Sequence, residues 1–472
     1  MTAIDFVHWS NKFAIWADNY RKTLRSRPVR PNVQPGDISS QLPVSAPETP
    51  ESMENIFKDF EDKILPGITH WQHPGFFAYF PANATPVSIL AEQLCNAIAA
   101  QCMLWQTSPA ATELETVTLD WLRQAVGLPA KFTGVIQDSA SSATLAAVLT
   151  MRERALAWQG NTEGLQSNKQ IRIYASDKAH TSIDRAIWIS GIGSDNLVRI
   201  PVNGELGSMD IDDLKDAINK DREAGFTPAG IIANVGATSI GSTDQIKDVA
   251  TVAGSENLYL HVDAAWAGSA MICPEFRHLW AGVEKADSVV FNPHKWLGVQ
   301  FDCSAHYIRE PEALVKTLAI QPEYLKTHGK DGFVNYSEWS VPLGRRFRAL
   351  KLWFVLRAYG LEHLRTMIRN HVSWSMNLAN RLDSEPDFEL TSKPVLSLFA
   401  FRYVPKGTIE AELEDINQKL LNNINDDGRI YLTQTKIGGM FMIRFQAGSV
   451  ETTEADVKLA GDIICELARN PV

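Results

Sequence analysis

The chain has 472 residues, 45% of them hydrophobic and 21% charged, with a formal net charge of −10. At roughly 100–200 residues per domain this composition suits a folded protein of two or three domains. No Lys/Arg-rich tract offsets the acidic balance, so neither nucleic acid nor an anionic membrane surface is expected as a partner, while small anionic groups remain free to bind locally.

Five cysteines (Cys95, Cys102, Cys273, Cys303 and Cys465) lie far apart, are odd in number and include no C-x-x-C pair. That usage fits a reducing, cytoplasmic compartment. The N-terminus is broken by Asp5 and His8 and does not read as a signal peptide, and no apolar run reaches the roughly 18 residues of a membrane span.

In chain order, Phe6, Trp9, Phe13, Trp16 and Tyr20 recur at spacings of three and four and predict an aromatic-faced helix. Its stripe must bury on the body of the protein or on a partner subunit. Residues 24–52 hold six prolines and predict an extended wrapping segment. Ser108-Pro109 predicts a helix start, with serine as N-cap and proline at the first helical position.

Short strand-like runs follow at 134–137, 171–176, 197–202, 230–236, 258–265 and 288–292, with helical stretches such as 141–158 and 211–224 between them. Alternating strands and helices predict an α/β fold with a mostly parallel sheet, whose ligands gather beyond the carboxyl ends of the strands. After about residue 360 a helix, strand-like runs at 396–404 and 439–448, and a last helix at 453–468 predict a smaller α+β domain.

Four strand ends carry reactive side chains. The run at 134–137 leads into Asp138-Ser139-Ala140-Ser141 and a helix, which reads either as a plain serine cap or as an anion site built on free helix N–H groups. The run at 171–176 leads to His180, on its own an ordinary loop residue. The run at 258–265 contains Asp263, which either caps the next segment or faces a buried cation such as a pyridinium nitrogen, with small Ala265 two places on leaving room for a flat ring.

The run at 288–292 ends in Asn-Pro-His-Lys, placing Lys295 after His294. Lys295 is either a solvated strand-end lysine or a desolvated nucleophile, with His294 helping it to lose its proton. Together these are the parts that hold pyridoxal phosphate. No H-E-x-x-H, Walker A or G-x-S-x-G motif competes, and His70 and His73 lack the neighbouring ligands of a metal site, so no metal is expected.

The segments "HVDAAWAGSAMICPEFRH", "FNPHKWLGVQFDCS", "HWQHPGFFAYFPANAT", "GVIQDSASSATL" and "PLGRRFRALKLWF" closely resemble the pyridoxal-phosphate-dependent aromatic L-amino-acid decarboxylases, the group II decarboxylases. The resemblance runs from about residue 60 to the C-terminus, and the chain reads as a bacterial-like member. It implies fold type I, with a mixed, mostly parallel seven-stranded sheet. The expected division is an N-terminal helical, dimer-wrapping segment (1–85), a large cofactor domain (86–360) and a small C-terminal domain (361–472).

Residue by residue, the resemblance implies that Lys295 carries pyridoxal 5'-phosphate as a Schiff base. Asp263 holds the pyridinium, His180 stacks on the ring, and Ala140, Ser141, Thr238, Ala265, Asn292 and His294 complete the cofactor site. Tyr324 protonates the carbanion left by carbon dioxide. Trp71, Tyr79, Phe80, Pro81 and Ala82, with Gln101 and Met103 of the neighbouring chain, line the substrate pocket at the interface of a homodimer, together with His180. Gly344 stands where plant relatives carry glycine for indole and serine for phenol substrates. Ala82, Gln101 and Met103 depart from the family pattern of threonine, an aliphatic and an aromatic residue. The implied reaction converts tryptophan, phenylalanine, tyrosine or dihydroxyphenylalanine to its amine. Aldehyde synthesis, decarboxylation of a non-aromatic amino acid such as glutamate, and a non-catalytic scaffold are the rival readings.

Overall fold

The computed structural model describes residues 4–165, 170–320 and 334–470. The six strand-like runs of the central region form β1 (Thr133–Gln137), β2 (Ile171–Ser176), β3 (Leu197–Ile200), β4 (Thr227–Asn234), β5 (Tyr259–Asp263) and β6 (Ser288–Phe291). A seventh strand, β7 (Ser304–Ile308), has no counterpart in the sequence reading. Its Ser304 and His306 are buried polar residues that interrupt the apolar signal.

The strands lie in the order β1-β7-β6-β5-β4-β2-β3. Pairing is parallel from β3 through β2, β4 and β5 to β6. β7 runs antiparallel to both β6 and β1. Because β7 alone is reversed within this sheet, β1 points the same way as the other five, and six carboxyl ends open on one edge. The mixed seven-stranded sheet implied by the resemblance is present.

Several expected boundaries move for local reasons. The run expected over 197–202 ends as a strand at Ile200, before Pro201, which has no N–H for the ladder. The helix expected over 141–158 is Ala140–Ala155, and it stops where Ala157 and Trp158 take positive φ angles. The helix after Ser108 runs Pro109–Val126, but Ser108 makes no side-chain cap bond; its hydroxyl lies 3.6 Å from Cys102 Sγ instead.

Beyond the sheet, one long helical element spans Ala349–Ser384 and is interrupted at Gly360, whose φ of 68° no helix accommodates. Four antiparallel strands follow: β8 (Phe388–Leu390), β9 (Leu398–Tyr403), β10 (Thr433–Ile437) and β11 (Met440–Gln446), in the order β8-β9-β11-β10. The central pair β9 and β11 was legible. The edge strands β8 and β10 were not, being three residues long in one case and half-exposed in the other. The last helix, Glu454–Arg469, begins at a capping box between Thr453 and Asp456.

The N-terminal helix, Phe6–Thr23, buries Trp9 and packs Trp16 against Phe57 and Phe60, whereas Phe6 stays exposed. The proline segment is tied down by Val29 N–H donating to Gly428 O and His70 N–H donating to Val29 O. No helix among the described residues is long and apolar enough to cross a membrane.

Candidate active site

Short loops after β1, β2, β4, β5 and β6 converge at the carboxyl edge of the sheet around a cavity of about 180 Å³. Ser139, Ala140 and Ser141 enter it from β1, His180 from β2, Asn234 and Thr238 from β4, Asp263 and Ala265 from β5, and Asn292 and Lys295 from β6, with Phe80 and Trp266 closing one wall.

Both readings of the loop after β1 hold at once. Ser139 Oγ caps the helix by accepting from Ser142 N–H at 3.2 Å. That leaves the N–H groups of Ala140 and Ser141, at the first two helical positions, without intrahelical partners and available to an anion. Across the cavity, Gly236 takes a φ of 74°, and a Cβ there would lie 2.6 Å from Ala267 Cβ, so only glycine lets the chain turn here towards Thr238.

Asp263 is 8% exposed and accepts from Ala265 N–H at 3.0 Å. It has no Lys or Arg in ion-pair contact among the described residues, so a buried carboxylate faces the cavity short of a cation. The amide oxygens of Asn234 and Asn292 are also buried without hydrogen-bond partners. Asn234 sits beside Asp263 in the β4–β5 register, its amide nitrogen held by the buried carboxylate of Asp244 at 2.9 Å. His180 Nδ1 accepts from Ser182 N–H at 3.1 Å, which leaves the ring proton on Nε2. Burial lowers its imidazole's proton affinity, against the opposing pull of Asp263.

Lys295 lies in the short turn Pro293–Trp296. Asn83 fixes that turn by donating to Lys295 O at 2.6 Å, and Trp296 behind it stacks on Trp266 with ring centres 5.0 Å apart. Lys295 Nζ lies 5.0 Å from the centre of the Phe80 ring. Desolvation brings its amine down to about 8, opposed by Asp263 and reinforced by Arg444. His294, expected to supply that reinforcement, does not. Its Nδ1 accepts from Cys303 N–H at 2.9 Å, its ring packs on Phe301, burial holds it neutral at about 3, and it does not line the cavity.

Of the expected substrate residues, Phe80 and His180 line the cavity of the single chain. Trp71 and Tyr79 stack on each other and remain partly exposed. Gln101 Oε1 accepts from Arg345 N–H at 2.7 Å, and a Cβ on Gly344 would stand 3.2 Å from Gln101 Nε2. Met103 O accepts from Ser337 N–H, Ala82 O accepts from Gln72, and Pro81 packs against Gly448. Tyr324 lies outside the described residues.

The sequence reading missed Asn234, Trp266 and Arg444. Arg444 had a usable signal, being the one charged residue in β11, "MFMIRFQ", where only Met440 is not fully buried. Among the described residues no group of three or more His, Cys, Asp or Glu side chains is placed to hold a metal. His70 is engaged instead by Tyr20 Oη at 2.8 Å, and His73 by Gly75 N–H.

An unpaired carboxylate, a desolvated lysine and a helix start with free amides match, in turn, a ring-nitrogen cation, an aldehyde and a phosphate. The donor set therefore fits pyridoxal phosphate, and on this sheet it defines a fold type I pyridoxal-phosphate enzyme. Residues 35–404 match the model of the pyridoxal-dependent decarboxylase conserved domain. The chain belongs to the pyridoxal-dependent decarboxylase family and is a carboxy-lyase that uses pyridoxal phosphate.

It is 41% identical to the aromatic-L-amino-acid decarboxylase of Sus scrofa, over 99% of this chain and 97% of that protein. It is 38% identical to the phenylacetaldehyde synthase of Arabidopsis thaliana, over 95% of this chain and 93% of that one. The crystal structure of Oryza sativa TDC with PLP and tryptamine superimposes with a TM-score of 0.96 at 34% identity, covering 99% of this chain and 98% of that one. These relatives come from an animal and two plants, so the expectation of a bacterial-like member is not borne out.

Proposed function

We propose that the protein decarboxylates an aromatic L-amino acid, with tryptophan, phenylalanine, tyrosine and dihydroxyphenylalanine as the candidate substrates, and releases the arylalkylamine and carbon dioxide. The observation that carries this reading is the placement of Lys295 and Asp263 in one cavity walled by Phe80 and Trp266. Bound there, pyridoxal phosphate supplies an aldehyde for a Schiff base and a ring that accepts the electrons left behind by carbon dioxide.

The chain's own groups do the rest. Lys295 Nζ, lowered by desolvation to about 8 so that its free base is within reach near neutral pH, is the nucleophile towards the aldehyde. Asp263 would accept a charge-assisted hydrogen bond from the ring nitrogen's N–H and so keep that nitrogen protonated and cationic. The amides of Ala140 and Ser141, with Thr238 and Asn292, hold the phosphate, and His180 lies against the ring. Tyr324 delivers the proton to Cα. The aromatic wall suits an aryl side chain, and the nearby cation, Arg444, does not line the cavity, which disfavours an acidic side chain such as that of glutamate.

Two chains form the working unit in this reading, with Gln101 and Met103 of one contributing to the pocket of the other. The exposed Leu90, Leu94 and Ile98 on the helix Pro86–Ile98 supply apolar surface for such a contact. A competition assay with the four amino acids, detecting amines, tests the reading; absence of any aryl amine overturns it.

Aldehyde synthesis is the second reading, since the Arabidopsis relative bears that name. Tyrosine at 324 favours simple decarboxylation, because the resemblance places phenylalanine there in aldehyde synthases. Tyr324→Phe is expected to slow amine release and to yield aldehyde, ammonia and peroxide under oxygen. A variant that makes only amine at the parental rate removes Tyr324 from the mechanism.

A further inference from the structure

Three arginines in the described structure are buried: Arg345, Arg402 and Arg444, at 4%, 7% and 3% exposure. Arg345 pairs with Glu115, and Arg402 with Glu389 and Glu410. Arg444 has no carboxylate partner among the described residues. Its Nη1 donates to Tyr79 O at 2.6 Å, while Nε and Nη2, which form one edge of the guanidinium, are buried with no partner. A buried, unpaired cation opposes folding, so it calls for an explanation other than stability.

Its surroundings supply one. Arg444 enters from β11 of the small sheet, and its guanidinium carbon lies 4.7 Å from the centre of the Phe80 ring, the same ring that has Lys295 Nζ at 5.0 Å. Phe80 also stacks on Trp266, with ring centres 4.6 Å apart. The lysine and the arginine therefore share one aromatic platform in a water-poor setting, where their fields are weakly screened.

The charged and titratable groups facing Lys295 come from separate elements. Asp263 on β5 favours the ammonium form; His180 after β2 and His294 in the lysine's own turn are disfavoured as cations by burial; Arg444 on β11 is the opposing positive charge.

We propose that Arg444 is a positioning residue for Lys295, an uncompensated charge placed beside it to offset Asp263 so that the amine meets the cofactor's aldehyde as a free base. The absence of a carboxylate on Arg444 is then functional, since a paired arginine would present little net field. Burial lowers the proton affinity of Arg444 itself only to about 9, so it keeps its charge at neutral pH. The proposal rests on the reading of Lys295 as the cofactor's anchor, and loss of the lysine-linked visible absorbance in Lys295→Ala tests that reading separately.

The test compares Arg444→Met and Arg444→Lys with the parent holoenzyme in two measurements. One is the pH titration of the lysine-linked visible absorbance. The other is the pH dependence of cofactor recapture after the cofactor has been stripped from the enzyme. In Arg444→Met both midpoints are expected to rise by about one pH unit, so that recapture at pH 7 slows by up to about tenfold. Arg444→Lys, which keeps the charge, should stay near the parent. Thermal unfolding of Arg444→Met should occur near the parental temperature, because the lost charge leaves no carboxylate stranded and gives up only the bond to Tyr79 O.

Unmoved midpoints in a folded, cofactor-loaded Arg444→Met overturn the proposal. So does an Arg444→Lys that behaves like Arg444→Met. A raised KM with unchanged midpoints would make Arg444 a seat for a substrate carboxylate and would equally reject the electrostatic role.

Discussion

Arg345 Nη2 and Glu115 Oε1 meet at 2.7 Å, and each side chain is only 2% exposed. The pair also clamps β1, because Glu115 Oε1 accepts from Ile136 N–H at 2.8 Å and Arg345 Nη2 donates to Ile136 O at 2.8 Å. It thereby ties the Gly344 loop to the strand that leads into the Ser139–Ser141 turn. Arg345→Met strands a buried carboxylate and is expected to cost about 3–5 kcal/mol, measured by denaturant unfolding of the holoenzyme. The same change at Arg444 strands no carboxylate, only the Tyr79 carbonyl, and should cost less. Equal destabilisation of the two variants would contradict the different pairing of these arginines.

Asp263 sets the charge at the ring end of the cavity. Asp263→Asn keeps its size but cannot hold a ring nitrogen protonated, so turnover should fall by about two to four orders of magnitude with the fold intact. Amine formation and visible absorbance, compared with the parent, check this. A fall of less than about tenfold would move the ring-nitrogen contact to another residue.

Gly344 controls space at Gln101. In Gly344→Ser the new Cβ stands 3.2 Å from Gln101 Nε2, so Gln101 must shift and its bond to Arg345 N–H is strained. If this corner belongs to the substrate pocket, the ratio of kcat/KM for tryptophan to that for tyrosine should drop by roughly 10–200-fold, the range for one crowded pocket contact. An unchanged ratio would take Gly344 out of the pocket.

His306 is 1% exposed, and both of its ring nitrogens are buried without partners. Burial lowers it to about 3, and lowers His371, which accepts from Trp296 Nε1, to about 4. Both folded values lie below the unfolded imidazole's ordinary 6.5. As pH falls through that value the unfolded chain takes up protons that the folded chain refuses, so stability is lost on acidification, by about 1.4 kcal/mol per pH unit for each group. His306→Phe removes one such group. The difference in unfolding free energy between pH 7 and pH 5 should shrink by up to about 2 kcal/mol. An unaltered difference would mean that His306 is protonated in the fold.

Much of the site was legible because its residues follow strands. The apolar runs before Ser139, Asp263 and Lys295 announced where each strand would end, and polar residues at those ends marked the ligand edge. What stayed hidden had no local periodicity. β7 carries buried Ser304 and His306 in place of an apolar run. His294 was assigned an electrostatic role because it adjoins Lys295 in sequence, yet its ring is turned onto Phe301 and Cys303.

The sequence by itself determined the reactive residue types, the strand ends that carry them and, through its motifs, the pyridoxal-dependent decarboxylase family. Only the tertiary structure decided which charge opposes Asp263 at Lys295. That charge comes from Arg444 on a strand of the other sheet, across Phe80 from the N-terminal segment, and no spacing along the chain encodes that approach. Hydrophobic patterning records which face of an element is buried, whereas the field at a buried amine depends on distances between elements that meet only after folding.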